Sequence, residues 1–245
     1  MTVDEVVSRS DLSISSATDE ENSLRAGLQV SRLGVLRRSF QREVHLDAGH
    51  VLAERGEAIE KANLVIDGFL LHTLHDGPKR AIVGVSLPGD IIGLSAFGIG
   101  SMGHSVVTAG PASVRQLEFP LFEELSARMP SIVLQMASLE AAVQRQWIAN
   151  CQRLTAPQHI AHLFCEWRHR LARSNGIKQV VRTPFSQTDL GDMCGISAIH
   201  ANRAIANLRN AGLAEIRRGD LYTSDWTELE KYARFDPSYL RAVRT

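Results

Sequence analysis

Between about residue 40 and residue 118 the apolar residues come in short runs. Val51-Leu52, Asn63–Ile66, Phe69–Leu74, Ala81–Val85, Ser105–Thr108 and Ala112–Leu117 are β-prone runs of mainly aliphatic and β-branched side chains, the composition that fits a pleated, half-buried surface. Ala48-Gly49, Asp67-Gly68, Asp76-Gly77-Pro78, Pro88-Gly89-Asp90 and Gly110-Pro111 punctuate them. Turn signals at such regular intervals predict a compact all-β sandwich or barrel. At Phe119-Pro120 the period changes to helical, and Pro130 suits the first turn of a helix. From Met129 onward Ile132, Met136, Leu139, Val143, Gln146 and Asn150 follow in alternating steps of three and four residues, a heptad seam. This seam has two readings: a helix packed on its own β-domain, or a parallel two-helix dimer interface in which Asn150 helps to fix register.

Thr155-Ala156-Pro157 breaks that helix and caps the next, which sets Ile160, Leu163, Phe164, Trp167 and Leu171 on one face and ends at Asn175-Gly176. A second pattern follows. Ser186 and Asp189 stand at capping-box spacing, Leu190 and Met193 supply a short apolar face, and Gly195 allows a sharp turn. Ser197 then caps a helix to Asn210 that packs through Ala201, Ala204, Ile205 and Leu208. Helix, tight glycine turn, helix is the helix-turn-helix pattern. Two short strands around Gly219-Asp220 add a hairpin, making the unit a winged helix. The period that buries Ile205 and Leu208 exposes Ala198, Ile199, His200, Asn202 and Arg203. Asn and Arg recognise base edges, Arg by two hydrogen bonds to guanine. Gln187 and Thr188 on the first helix and Arg217 and Arg218 on the hairpin complete the candidate DNA-binding set.

Composition bears on this in one respect. Lys+Arg and Asp+Glu number 27 each in the 245 residues, so the chain as a whole gives no argument for nucleic acid. From Arg153 to Arg218, however, ten basic residues face four acidic ones, the segregated charge that a DNA partner requires. No apolar run is long enough to span a bilayer, and the N-terminus lacks the apolar core of a signal peptide. Cys151, Cys165 and Cys194 form no pair motif. Together these features lead to the expectation of a cytoplasmic protein without disulfides.

Three segments resemble the cAMP receptor protein/fumarate-nitrate regulator (Crp/Fnr) family. They are Leu87-Pro88-Gly89-Asp90-Ile91-Ile92-Gly93, Ala161-His162-Leu163-Phe164-Cys165-Glu166, and Gly195 to Arg203 with Asp225-Trp226 and Phe235–Leu240 behind it. The last two are similar to a subgroup common in alphaproteobacteria. The resemblance runs from about residue 22 to 240. Residues 1–21 are polar, acidic and rich in Ser and are read as a mobile tail; beyond them the resemblance implies an α+β fold, with a cyclic-nucleotide-binding-like β-roll sensor at 22–128, a dimerisation helix at 129–154 and a winged helix-turn-helix at 155–245. It further implies a homodimer on a two-fold symmetric operator, with Ser197 holding phosphate and Arg203 reading guanine. Ile199 falls where many members carry a base-reading glutamate, so an altered target is expected, with His200 and Asn202 as further readers. The expected partners are double-stranded DNA, a second copy of the chain and RNA polymerase, with no membrane and no catalytic activity. A sensor or adaptor acting through protein contacts is the alternative.

The family's cAMP binders place a Glu after the Gly of Gly-Asp-x-x-Gly and an Arg-Ser or Arg-Thr pair further on. Here Leu94 and His104 occupy the charged positions and only Ser105 is kept. A cyclic phosphate needs a fixed cation, so conventional cAMP binding is not expected. Gly93, His104 and Ser105 remain the candidate ligand residues. No Cys precedes 151, which removes the cluster that would hold an iron–sulfur centre, and no cofactor is assigned. Cys194, beside the recognition helix, is either a thiol switch or an inert small core residue. The histidines at 45, 50, 72, 75 and 104 lack a metal-ligand pattern and are read as structural or surface groups.

Overall fold

The short apolar runs pair into two four-stranded antiparallel sheets. In order along the chain, β1 (Arg42–Leu46), β2 (Val51–Ala53), β3 (Lys61–Asp67), β4 (Leu70–Asp76), β5 (Lys79–Ser86), β6 (Ile91–Ile92), β7 (Ser105–Thr108) and β8 (Ala112–Glu118) form the sheets β1-β8-β3-β6 and β2-β7-β4-β5. The computed structural model describes residues 34, 36–58, 60–94, 96, 98–175 (side chains to 171) and 180–240. The expected tail at 1–21 lies outside them.

Two of these strands have no counterpart among the predicted runs. β1 is an edge strand whose alternation is masked by Arg42, Glu43 and His45, and β6 is two residues inside a turn-rich segment. The β4–β5 register slips between His72 and Thr73. Such a bulge redirects the side chain at that point, and His72 there is buried.

The helical part begins with α1 (Phe119–Arg128), stops at Met129, and restarts as α2 (Pro130–Arg153) with Pro130 in its first turn. Then follow α3 (Ala156–Asn175), α4 (Gln187–Cys194), α5 (Ala198–Asn210) and α6 (Trp226–Tyr232). A three-stranded sheet in the order β10-β11-β9 is built from β9 (Val180–Val181), β10 (Glu215–Arg217) and β11 (Asp220–Tyr222). Pro237–Leu240 closes the described chain as a 3-10 turn.

The heptad seam of α2 is corrected by the structure. Ile132 and Met136 pack with Leu36, Phe40, Phe122 and Leu125 of the same chain, and Leu139 and Asn150 are buried too. Met129, Val143 and Gln146 are half-buried, and Gln146 donates to the Asn150 side chain at 2.8 Å. The apolar stripe therefore covers the chain's own body and is not a free face for a second copy. A buried Ile or Met stabilises by about 1.5–3 kcal/mol whichever surface covers it, so the spacing alone did not decide between the two readings. The opposite side of α2 carries Leu134 and Ile148, 68% and 62% exposed.

A second apolar core runs through both halves of the molecule. Leu71 and Val85 of the sheets and Leu87 just after β5 meet Trp147 of α2 and Ile160, Phe164 and Trp167 of α3, and the cluster continues to Leu190, Ile205, Leu208 and Leu221. Across it lies a polar network. Fully buried Glu166 accepts from Tyr239 Oη (2.8 Å), Trp147 Nε1 (3.1 Å) and Arg170 Nη1 (3.1 Å). Arg170 Nη2 donates to the Val85 carbonyl at 3.2 Å and to the Asp90 carboxylate. Burial pushes the Glu166 carboxyl up, and Arg170 pulls it back. Asp90 also accepts the Leu87 N–H, which fixes the Leu87-Pro88-Gly89-Asp90 turn.

Candidate nucleic-acid interface and sensor cleft

The two helices of the C-terminal unit are set by local chemistry. Ser186 caps α4 as expected: its Oγ accepts the Asp189 N–H, and Asp189 accepts the Ser186 N–H in return. Gly195 ends α4 in the left-handed region with φ 68°. A residue missed from sequence is Gly191, where a Cβ would lie 2.8 Å from the Ile196 carbonyl oxygen. Its signal was a glycine in the interior of a short helix, often a mark of close backbone approach. Ser197 caps α5 by accepting the His200 N–H at 3.3 Å, and its Oγ also lies 3.2 Å from His200 Nδ1.

On α5 the buried side is Ala201, Ala204, Ile205 and Leu208. The other side brings together the candidate readers Ala198, Ile199, His200, Asn202 and Arg203, all exposed, with Ser197 at its start and Gln187 and Thr188 exposed on α4. Beside it is the wing. Its turn passes through Arg218 (φ 53°) and Gly219 (φ 91°). A Cβ at Gly219 would fall 2.4 Å from the Thr183 carbonyl oxygen, so only glycine lets the hairpin lie against the segment from Thr183 to Phe185. Positive φ at a non-glycine stores strain of order 1–3 kcal/mol, held here by Thr183, whose Oγ donates to the Gly219 carbonyl and whose N–H donates to Asp220. Arg217 and Arg218 are both exposed, and Arg217 is bonded to Glu215 at 2.7 Å.

The basic region is smaller than its count suggested. Arg168 turns inward to Glu230 (3.0 Å) and over the Trp226 ring (4.6 Å), and Arg170 joins the buried network. The side chains of Arg173 and Lys178 lie outside the described residues. Arg153, Arg182, Arg203 and Arg209 are exposed. Arg80 also belongs with this region, though no local pattern pointed to it. It reaches from β5 to Asp189 and Asp192 of α4.

A cleft opens where the sheets meet α2 and α3. Gly93 and His104 line it together with His72, Ser86, Asp90 and Arg170. Ser105 does not: its Oγ donates to the Glu54 carboxylate and accepts the Arg55 N–H, so it faces away, a correction to the expected ligand set. Leu94 is buried among apolar side chains. His72 Nδ1 lies 2.6 Å from His104 Nε2, and His72 Nε2 lies 2.7 Å from Ser86 Oγ. Burial drives the His72 pKa down to about 3, with the neighbouring His104 adding to the effect, and burial lowers that of His104 as well. Both rings are therefore neutral near pH 7. The cavity at the centre is about 50 Å3, room for a few waters at roughly 10–15 Å3 each. Among the described residues no group of three or more His, Cys, Asp or Glu side chains is placed to hold a metal ion. Cys194 is buried in the apolar core and burial pushes its thiol far up, which favours inert packing over the switch.

The chain thus joins a β-roll through a long helix to a winged helix-turn-helix. Residues 158–232 match the Crp-like helix-turn-helix domain. The chain is 24% identical over 196 residues to the nitrogen fixation regulation protein FixK of Bradyrhizobium diazoefficiens, covering 78% of this chain and 82% of that protein. It is 26% identical over 170 residues to the transcriptional activatory protein AadR of Rhodopseudomonas palustris, covering 67% and 70%. The fold is shared with FixK2 from Bradyrhizobium japonicum, with a TM-score of 0.69 at 19% identity over 83% of this chain and 98% of that one. Residues 158–232 thus form a Crp-like helix-turn-helix domain, and the chain as a whole is similar to transcription regulators of the Crp/Fnr family. Its relatives are regulators, not enzymes. Among the described residues no helix is long and apolar enough to cross a membrane.

Proposed function

We propose that this regulator acts as a homodimer on a two-fold symmetric DNA site, placing α5 of each copy in a major groove. The observation that carries the reading is the solvent face of α5: Asn202 and Arg203 exposed one turn after the Ser197 cap, with the wing arginines alongside. In this reading Arg203 reads guanine, Asn202 and His200 read neighbouring bases, and Ser197, Gln187, Thr188 and Arg218 hold phosphates. Ile199, 68% exposed, offers methyl contact in place of a charged reader.

The second copy takes the outer side of α2. Leu134, Ala141 and Ile148 recur at seven-residue steps opposite the self-packed seam, and a parallel partner helix covers such a stripe along its length. Two exposed large apolar residues on one helix side, continuous with the two-fold symmetry of the site, favour a copy of this chain over another protein.

The cleft accommodates a small, uncharged or weakly polar signal, not a cyclic nucleotide. Its two imidazoles are neutral, its Arg170 is engaged by Asp90 and Glu166, and its central space is a few waters wide. RNA polymerase is the machinery on which the bound dimer acts.

Selection of binding sites from a random-sequence duplex library with the purified protein tests this reading. Recovered inverted repeats with half-sites one or two helical turns apart are the expected result. Recovery of no enriched sequence, or the same pool with Arg203→Ala, would overturn it. In parallel, Leu134→Asp with Ile148→Asp is expected to give a monomer by sedimentation; a persistent dimer would refute the outer face of α2 as the interface.

A further inference from the structure

Arg80 stands at the turn end of the β4–β5 hairpin and leaves the β-roll to hold the first helix of the helix-turn-helix. Its Nη2 donates to Asp189 at 2.5 Å and its Nε to Asp192 at 2.8 Å. We propose that Arg80 is a positioning residue for DNA binding: it neutralises and fixes the acidic side of α4, so that the β-roll sets the charge this helix presents to the phosphate backbone. The proposal rests on the DNA-binding reading above.

In a docked helix-turn-helix the first helix crosses the DNA backbone, where a carboxylate meets phosphate of the same sign. This chain carries two carboxylates there, one helical turn apart on α4. Asp189 is committed, because its Oδ2 takes the Ser186 N–H and hydroxyl that cap the helix, leaving Oδ1 for Arg80. A planar guanidinium can span both acids at once, whereas an ammonium acts as a point charge. The three side chains are 30%, 17% and 21% exposed, which shields the contact from much of the salt screening felt at an open surface.

The contact does not mask the reading face. Gln187, Thr188, Ile199, Asn202 and Arg203 are all exposed with Arg80 in place, so the arrangement is compatible with DNA. The same hairpin also carries His72 and Ser86, which line the cleft. The cleft and the acidic side of α4 thus share one hairpin.

The test uses full-length protein, wild type and Arg80→Ala, Arg80→Lys, Asp192→Asn and the Arg80→Ala/Asp192→Asn double variant. Each is titrated against a mixed-sequence duplex and a selected operator at low and at physiological salt, with thermal melts as the folding control. Arg80→Ala is expected to bind about tenfold more weakly at low salt, as like-charge repulsion of order 1.4 kcal/mol would give. The deficit shrinks as salt screens the repulsion. Arg80→Lys recovers part of the loss, the double variant most of it, and Asp192→Asn alone binds more tightly than wild type. Wild-type affinity in Arg80→Ala, a loss that ignores salt and is not relieved by Asp192→Asn, or weaker binding by Asp192→Asn alone would overturn the proposal. The last arm decides the matter even if Arg80→Ala fails to fold. A wild type that binds neither duplex overturns the DNA-binding reading itself; a wild type that binds while the variants behave as in those three results overturns only the role of Arg80.

Discussion

The exposed face of α5 and the cleft between the sheets and α2 are built from similar side chains in opposite settings. On α5, His200, Asn202 and Arg203 point to solvent, so in the proposed reading each exchanges water for a base edge without breaking the fold. In the cleft, His72, Asp90 and Arg170 are buried and already satisfy one another or their neighbours. A DNA partner therefore meets a prepared surface, while a ligand in the cleft must compete with existing hydrogen bonds. Because Arg170 belongs to α3 and Asp90 to the β-roll, a competitor for that pair acts on the join between the two halves. The cost of burying unpaired polar groups makes the cleft a place where small chemical changes have structural consequences.

Removing Arg170 should have the largest effect. Arg170→Ala leaves Asp90 and Glu166 buried without their cation and is expected to cost about 3–5 kcal/mol of stability in a urea melt. Arg209→Ala, on the exposed side, should stay within about 0.5 kcal/mol. Equal effects would erase the contrast between the two regions. Arg203→Ala should do the reverse, lowering specific DNA affinity by about 1–3 kcal/mol with an unchanged melting curve; a shifted melt would show that α5 is structural after all.

Acid sharpens the same division. Burial lowers His72 to about 3 and both His159 and His162 to about 4. The unfolded chain binds protons at an ordinary histidine pKa near 6.5, so it holds more protons than the native state below that pH, and stability falls as pH falls. The contribution is complete above pH 6.5 and is lost progressively down to about pH 4 for His159 and His162 and about pH 3 for His72, at up to roughly 1.4 kcal/mol per pH unit for each histidine. Melting temperature should drop between pH 7 and pH 5, and His159→Gln should flatten the drop; a pH-independent melt over that range would contradict the burial of these rings. The smallest effect is kinetic. Cys194, buried with its thiol pushed up, should react with a thiol reagent much more slowly than exposed Cys151, and Cys194→Ala should retain DNA binding. Rapid labelling of Cys194 in the native protein would revive the switch.

The helix-turn-helix end was legible because its signals are local. A cap, a glycine turn and a 3.6-residue period lie within about one helix length of each other, and Ser186, Gly195 and Ser197 perform the expected tasks in the structure. The strands of the β-roll were legible for the same reason, except β1 and β6, where an exposed edge and a two-residue strand carry no alternation. The cleft was not legible. His72 and His104 are 32 residues apart, and Arg170 and Asp90 are 80 apart.

Sequence by itself thus determined most of the β-roll strands, the caps of the helix-turn-helix and the face of α5 that meets solvent, since each follows from backbone chemistry and periodicity within a short window. Only the tertiary structure decided which side of α2 is covered, that Arg168 and Arg170 point inward, that Ser105 leaves the cleft, and that Arg80 reaches α4. An apolar stripe or a charge specifies that it needs a partner of a given kind, and chain folding over long separations specifies which partner it meets.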